Sequence, residues 1–242
     1  PSRCGNRGMA VTSASPKGAR PAMFRPCPRR SANGCSARWA PLVNNRAMDD
    51  IVRQALAKWP NVPDCYGWLG LDARGNWYMR DDRTQALGPF PSFDRPGPPG
   101  ARGSLLKHEK LIEFIHRNYE ADQAGQWFFQ NGPQRVYVEL EATPWIWRLQ
   151  QRPGEVCAVA SHTGRAARVR SCLLDEMGRV YLDTDLGFGL VHTQDVAQAA
   201  EAVEGEQWLP RDVLASELPE RFGFVPSPHA AHRSPAMNPH IG

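Results

Sequence analysis

The chain has 242 residues, of which 41% are hydrophobic, and this length supports one medium-sized domain or two small ones with a sizeable core. Residues 1–47 hold nine of the 29 basic residues and no acidic one, so the other 20 basic residues face 25 acidic residues. This mildly acidic body argues against a nucleic-acid-binding domain, and no apolar run approaches the roughly 20 residues of a membrane-spanning helix.

The basic head, residues 1–47, is rich in Pro, Arg, Ser and Ala and has neither a helical nor a strand period. We expect it to be disordered, because it cannot bury enough apolar surface to offset its ordering entropy. Three interpretations are open: a transit peptide, a basic arm for RNA or DNA, or upstream sequence that is not part of the native protein. We favour the third, with a native start at Met48, where the composition changes and a helix with acids in its first turn begins.

The predicted elements after Met48 are short strands and three helices. The helices are Asp49–Lys58, Ser104–Asn118 and a helix capped by Thr193 that runs to Val203. The strands begin near residues 66, 76, 126, 134, 145, 157, 169, 179 and 188, where β-branched and aromatic residues cluster. We predict an α+β fold of antiparallel meander or hairpin sheets, with a central amphipathic helix and a second helix after the last strand.

A turn signature, Asp-x-x-Gly followed by aromatic or β-branched residues, occurs at Asp72, Asp122 and Asp175. Asp at the first position bonds the backbone two residues on, and Gly at the fourth takes positive φ without a Cβ penalty. The three copies predict three hairpins, either as a true repeat or as independent turns of the same type.

The domain organisation follows from breaks in this pattern. The Pro- and Gly-rich loop Leu87–Arg102 is the clearest hinge. We expect a globular region over residues 48–226, with two lobes at 48–125 and 126–226, and a disordered tail at 227–242. No pair of the six cysteines has Cys-x-x-Cys spacing, so the cysteines of the body predict free thiols and a cytoplasmic protein.

Possible metal and catalytic groups centre on two histidines. Glu109, Glu113 and His116 share one helix face, but they lack the spacing of a zinc site, so we expect no metal or cofactor. His108 is expected to be a core histidine. His192 ends a strand before a helix, and a small hydrolase that uses it, or His116, with neighbouring acids is the alternative function. The nearby candidates for His192 are Asp183, Asp185 and Cys172.

A candidate ligand face lies on the predicted strands on either side of Pro144. Arg135 and Tyr137 alternate with apolar residues, and Arg148 lies on the next predicted strand. Two guanidinium groups hold a carboxylate or phosphate well, and a tyrosine ring supplies a stacking surface. We therefore predict Arg135, Tyr137 and Arg148 as ligand-binding residues, against the alternative that they form a solvated sheet face.

The runs Gly75-Asn-Trp-Tyr, Leu111-Ile-Glu-Phe-Ile and the long segment from Gly125 to Trp145 resemble an uncharacterised proteobacterial family of hypothetical proteins. The resemblance extends over about residues 48–226. It implies a small bacterial α+β domain of unknown function and carries no catalytic residues.

These patterns favour a non-enzymatic cytoplasmic module that binds a small anionic ligand or a protein partner, in a sensor, regulatory or adaptor role. The scaffold is well specified, whereas no coherent catalytic set is recognisable. A nucleic-acid binder that acts through the basic head is the third hypothesis. We expect neither nucleic acid binding by the folded part nor association with a membrane.

Overall fold

The computed structural model describes residues 61–150 and 156–233, together with residues 52, 54, 57 and 58. The predicted basic head and residues 234–242 of the predicted tail lie outside these ranges. The predicted helix Asp49–Lys58 also lies largely outside them, and its four described residues are helical. Among these, Val52 is buried.

Sheet 1 is a mixed sheet built from the first half of the described chain. Its strands are β1 (Cys65–Leu71), β2 (Trp77–Met79), β3 (Ser104–Leu105), β4 (Tyr119–Ala121), β5 (Trp127–Asn131) and β6 (Gln134–Leu140). They lie in the order β3-β2-β1-β6-β5-β4, with β1 parallel to β6 and the other neighbours antiparallel. Val136, Val138 and Leu140 join the core from one face of β6, because residues two apart on a strand point the same way.

Sheet 2 is a mixed sheet built from the second half. Its strands are β7 (Trp145–Gln150), β8 (Ala158–Ser161), β9 (Ala166–Ala167), β10 (Val169–Asp175), β11 (Val180–Thr184), β12 (Gly187–Val191) and β13 (Pro210–Val213). Their order is β13-β10-β11-β12-β7-β8-β9, with β10 parallel to β13 and β12 parallel to β7. The remaining neighbours are antiparallel.

Short helices connect and cover the sheets. They are α1 (Asp82–Leu87), α2 (Glu109–Arg117), α3 (Val196–Glu204), α4 (Leu218–Phe222) and α5 (Pro228–Arg233), with 3₁₀ turns at Thr193–Asp195 and Ala215–Glu217. Helix α2 buries Ile115. None of the helices in the described part of the chain has the length and apolar character needed to cross a bilayer.

The buried apolar residues of the two sheets form one continuous core. Large aromatic rings make the junction: Tyr119 of β4 lies edge-on to Trp77 of β2 and to Trp145 of β7, at centroid distances of 5.3 and 5.5 Å. Trp127 of β5 also meets Trp145 edge-on, at 5.2 Å. Such ring pairs contribute beyond the area they bury, so the aromatic content of the sequence holds the sheets together.

The predicted α+β class is confirmed, but three details differ. The sheets are mixed rather than antiparallel throughout, because β6 returns beside β1 and β12 beside β7. Residues 104–105 form β3 instead of opening the central helix, which begins at Glu109. The helix after β12 is followed by a further strand, β13. Alternating hydrophobicity identifies strands but not the strands they pair with, so the sequence could not show which pairs are parallel.

Two predicted boundaries also differ from the structure. The sheets divide the chain between β6 and β7, whereas the predicted lobe boundary at residues 125 and 126 falls in the turn before β5. The predicted disordered tail begins with an ordered helix, α5, which packs on β1 and β6.

His108, expected in the core, is an exposed N-cap whose Nδ1 accepts the N–H of Leu111 at 3.2 Å.

Candidate functional site

The turn between β1 and β2 of sheet 1 packs against sheet 2. Oδ1 of Asp72 accepts the N–H groups of Arg74 and Asn76 at 2.9 and 2.8 Å, which closes the turn. Gly75 then approaches sheet 2 so closely that a Cβ there would lie 2.7 Å from Cβ of His162. The tip of this turn therefore lies against β7 and the β8–β9 connection.

A polar cluster follows at the end of β12. The buried His192 donates its backbone N–H to the carbonyl of Trp147, and its Nδ1 accepts the N–H of Gln194. Arg148 donates from Nε to Oδ2 of the buried Asp195 at 2.7 Å. Burial would raise the pKa of Asp195, but the hydrogen bonds from Arg148 and from the Leu149 N–H lower it.

A shallow cavity of about 460 Å³ lies beside the loop between α1 and β3. We call it the proline groove; its lining is Pro91, Ser92, Phe93, Pro96, Gly97, Pro98, Pro99, Gly100, Arg102 and Glu141. Arg102 makes two hydrogen bonds to the Glu141 carboxylate, one of them 2.7 Å long. The same carboxylate accepts the N–H of Ala73 at 2.8 Å, so the groove adjoins the β1–β2 turn.

Two neutral histidines lie at the junction of the sheets. Nε2 of His116 accepts the indole N–H of Trp77 at 2.9 Å, and Nδ1 of His162 accepts the N–H of Ile146 at 3.3 Å. Burial, aided by Arg165, lowers the pKa of His116 to about 4. Burial, His116 and Arg165 lower the pKa of His162 to about 3. Both rings are therefore uncharged acceptors at neutral pH.

The structure separates the three predicted ligand-binding residues. Arg135 and Tyr137 lie on β6 in sheet 1, whereas Arg148 lies on β7 in sheet 2 and pairs with Asp195. The assumption that their strands are neighbours is wrong, because the chain changes sheets at Pro144. A sharp change of sheet and a hairpin turn look alike in sequence.

The face of Arg135 and Tyr137 is occupied by the chain itself. The Tyr137 ring is stacked on Tyr66 at 4.4 Å, and His232 of α5 is stacked on Tyr66 at 4.2 Å. Arg135 lies over the Phe128 ring at 4.8 Å. The Tyr137 hydroxyl donates to Asp122 at 3.2 Å. Burial and the charge of Asp122 raise the pKa of Tyr137, although a hydrogen bond with Arg135 lowers it.

The groups considered for metal binding and hydrolysis are placed differently from the sequence hypothesis. Glu109 and Glu113 are exposed, whereas His116 points to Trp77. Among the described residues, no group of three or more His, Cys, Asp or Glu side chains is arranged to hold a metal ion. Asp185 accepts the N–H of Arg168 at the β11–β12 turn.

Burial, together with the charges of Arg148 and Arg74, lowers the pKa of His192, whereas Asp195 and Asp72 raise it. Asp183 and Asp185, the acids that the sequence hypothesis assigned to His192, are not among the groups that shift its pKa. Cys172 is a buried free thiol whose pKa is raised by burial to about 11. Nothing in the sequence indicated the effect of Arg74 on this pKa, because Arg74 lies 118 positions before His192 and its turn approaches sheet 2 only in the folded chain.

Comparison with protein families decides the relationship of the chain. Residues 48–229 match the model of a family described as "Protein of unknown function (DUF2946)". The chain belongs to this family. The predicted resemblance to a family of unknown function is thus confirmed, and the match spans both sheets and ends in α5.

Solved structures give weaker likenesses to this family member. A DUF1285 family protein from Silicibacter pomeroyi DSS-3 is 12% identical with a TM-score of 0.38, covering 71% of this chain and 85% of that chain. A DUF1285 family protein from Shewanella baltica OS155 is 14% identical with a TM-score of 0.37, covering 55% and 91%. No curated protein matches the chain.

Proposed function

We propose that this family member is a non-enzymatic binding module that takes a small molecule with a planar apolar ring into the proline groove. The observation that carries the proposal is the groove itself, where apolar rings surround one guanidinium–carboxylate pair, Arg102 and Glu141. A concave apolar site with a few convergent polar groups is the usual form of a ligand pocket.

The groove is held in shape before any ligand arrives. The buried Arg80 donates to the carbonyls of Gly67 and Ala101, at 3.3 and 2.9 Å, and to that of Gly88. These bonds fix both ends of the loop on sheet 1. A preformed loop loses little conformational entropy on binding, so more of the contact energy appears as affinity.

The polar and apolar parts of the groove suit different parts of a ligand. Phe93 is 40% exposed, and the guanidinium of Arg179, in the β10–β11 turn, lies 3.9 Å from its ring centroid. A ligand ring would pack on Phe93 and the prolines, while its polar edge meets Arg102 at the floor. A turn of sheet 2 thus contacts the groove through Phe93, which supports a sensing or adaptor role. We place the module in the cytoplasm, where its free thiols remain reduced.

A thermal-shift screen of ring-bearing metabolites tests this function. A ligand at 100 times its Kd stabilises the protein by about 2.7 kcal/mol, which raises the melting temperature. Phe93→Ala should remove the shift at little cost in stability, whereas the exposed Leu209→Ala should retain it. Equal shifts in the two variants, or no shift with any compound, would reject the groove as the site.

The predicted ligand residues Arg135 and Tyr137 stay in the proposal as a second surface. Its support is the three-ring stack, in which His232 occupies the outer face of Tyr66 as a planar ligand would. Acidic metabolites and nucleotides in the same screen address it. Arg135→Ala should abolish their shift while scarcely changing the unfolding midpoint, and a shift of unchanged size would exclude this surface.

A further inference from the structure

A second polar site lies where the β1–β2 turn meets sheet 2, and none of its residues lines the proline groove. Strands β12 and β7 are parallel, with Leu190 beside Ile146 and Val191 beside Trp147. The next step of this register places His192 beside Arg148 on the face that carries Ile146. Sheet 1 approaches the same face, because a Cβ at Gly75 would lie 3.8 Å from Cβ of Ile146.

His192 offers a donor to this face. Its Nδ1 accepts the N–H of Gln194 at 3.1 Å, so in the neutral ring the proton resides on Nε2. Only 6% of the residue is exposed, and its backbone is fixed by the N–H bond to the Trp147 carbonyl. The ring is therefore a preoriented Nε2–H donor at neutral pH.

Arg148 adds a guanidinium whose orientation is fixed. Its Nε and Nη2 donate to the two carboxylate oxygens of Asp195, at 2.7 and 3.3 Å. Asp195 is itself held by the N–H of Leu149 at 3.0 Å. Because Nη1 takes no part in these bonds and the Arg148 side chain is 49% exposed, its remaining donors are available to a ligand.

Arg74 brings a second guanidinium from the other sheet. It is exposed and lies in the turn whose next residue, Gly75, touches sheet 2. Burial, Arg148 and Arg74 lower the pKa of His192, while Asp195 and Asp72 raise it. Both acids are already engaged, Asp195 with Arg148 and Asp72 within its own turn.

We propose that Arg74, Arg148 and His192 form a binding site for a phosphate-type oxyanion that bridges the two sheets. Two guanidinium groups and one imidazole N–H supply several donors, which suits a tetrahedral group with several acceptor oxygens. Free phosphate and the phosphate of a small phosphomonoester share this chemistry. Such an anion would link the β1–β2 turn to the end of β12.

Titration of the full-length chain with inorganic phosphate tests the site, at constant ionic strength, by thermal shift and calorimetry. Arg74→Ala and Arg148→Ala should each lower phosphate affinity about tenfold or more, since each removes a charge-assisted hydrogen bond. Arg211→Ala, which removes the same charge from an exposed position on β13, should leave the affinity unchanged. An equal response in all three variants, or none in the wild type, would overturn the proposal.

Histidine NMR supplies a readout that does not depend on the stability of a variant. Phosphate should shift the Nε2 resonance of His192 and leave that of the exposed His108 unchanged. Glycerol phosphate then distinguishes the sources: tighter binding than phosphate indicates a phosphomonoester, and weaker binding indicates the free ion. Acetate that produces the same His192 shift at equal concentration would replace the phosphate assignment by a carboxylate and so refute it.

Discussion

At the scale of single residues, one turn geometry recurs with different surroundings. The predicted turns that contain Gly75, Gly125 and Gly178 are joined by a fourth at Gly164, and the four glycines have φ of 81, 79, 75 and 82°, respectively. In the fourth turn Ser161 replaces Asp, and its Oγ accepts the N–H of Arg165 at 3.2 Å. The sequence pattern missed this copy because it required a carboxylate, whereas a hydroxyl caps the same turn.

The glycines should therefore differ in tolerance, although the repeated sequence alone predicts equal effects. A Cβ at Gly125 would collide with the carbonyl of Gly223, whereas one at Gly178 would meet nothing within 4 Å. We expect Gly178→Ala to cost about 1 kcal/mol, from positive φ alone. Gly125→Ala should cost more than about 3 kcal/mol, because backbone must also move. Urea denaturation measures both, and similar costs would contradict the docking of the β4–β5 turn on the α4–α5 segment.

At the scale of elements, helix α5 covers part of the outer face of sheet 1 and is attached to it by hydrogen bonds. Glu139 of β6 is buried and accepts the Ser227 hydroxyl and the His229 N–H, the latter at 2.9 Å. Burial raises the pKa of Glu139, while these hydrogen bonds and Arg80 lower it. The Glu139 carboxylate thus holds α5 on the sheet. It also balances the charge of the buried Arg80, which fixes the loop before β3.

Removing this anchor should loosen α5 selectively. Glu139→Ala leaves Arg80 without its nearby opposite charge, so we expect a loss of about 3 kcal/mol in unfolding free energy. Hydrogen exchange at His229 and Ala230 should accelerate beyond this global effect. The exposed Glu113→Ala is the matched control and should change stability by no more than about 0.5 kcal/mol. Unaltered exchange in the Glu139 variant would mean that α5 is held by its ring contacts instead.

At the scale of the whole molecule, the two sheets meet at a junction that holds two uncharged histidines beside Arg165. His116 lies 5.7 Å from His162, edge to face, and each accepts a hydrogen bond through an unprotonated nitrogen. Protonation would convert either acceptor into a donor and place a charge beside Arg165. The folded state therefore requires neutral imidazoles at the interface between the sheets.

Acid should consequently weaken the junction. Both folded pKa values, about 4 and about 3, lie below the unfolded value of about 6.5, so these histidines contribute full stability above pH 6.5. As the pH falls below 6.5, these histidines become protonated in the unfolded chain but not in the folded chain. Their contribution to the unfolding free energy therefore decreases until the pH reaches about 3. His162 alone should give a slope of up to about 1.4 kcal/mol per pH unit.

Urea midpoints measured at half-unit steps between pH 7.5 and pH 4 check this dependence. His162→Phe keeps a ring in the junction and should make the slope shallower, whatever its effect at neutral pH. His108→Ala, at an exposed cap, is the control and should retain the wild-type slope. A slope that His162→Phe leaves unchanged would assign the acid sensitivity to other groups.

The sequence by itself determined the features that depend on neighbouring residues. The predicted Asp-x-x-Gly turns, the strands of alternating hydrophobicity and the central helix are encoded within short windows, because turn closure and amphipathic burial act locally. The membership of a family of unknown function also followed from contiguous runs. These features sufficed to give the α+β class.

Only the tertiary structure decided which elements meet. The pairing of β1 with β6, the change of sheet at Pro144 and the docking of α5 depend on contacts between residues far apart in the chain. For that reason Arg148 was assigned to Arg135, although it pairs with Asp195, which follows β12 in the chain. The burial that neutralises His116 and His162 arises in the same way, since a side chain's electrostatic environment is set by whatever folds around it.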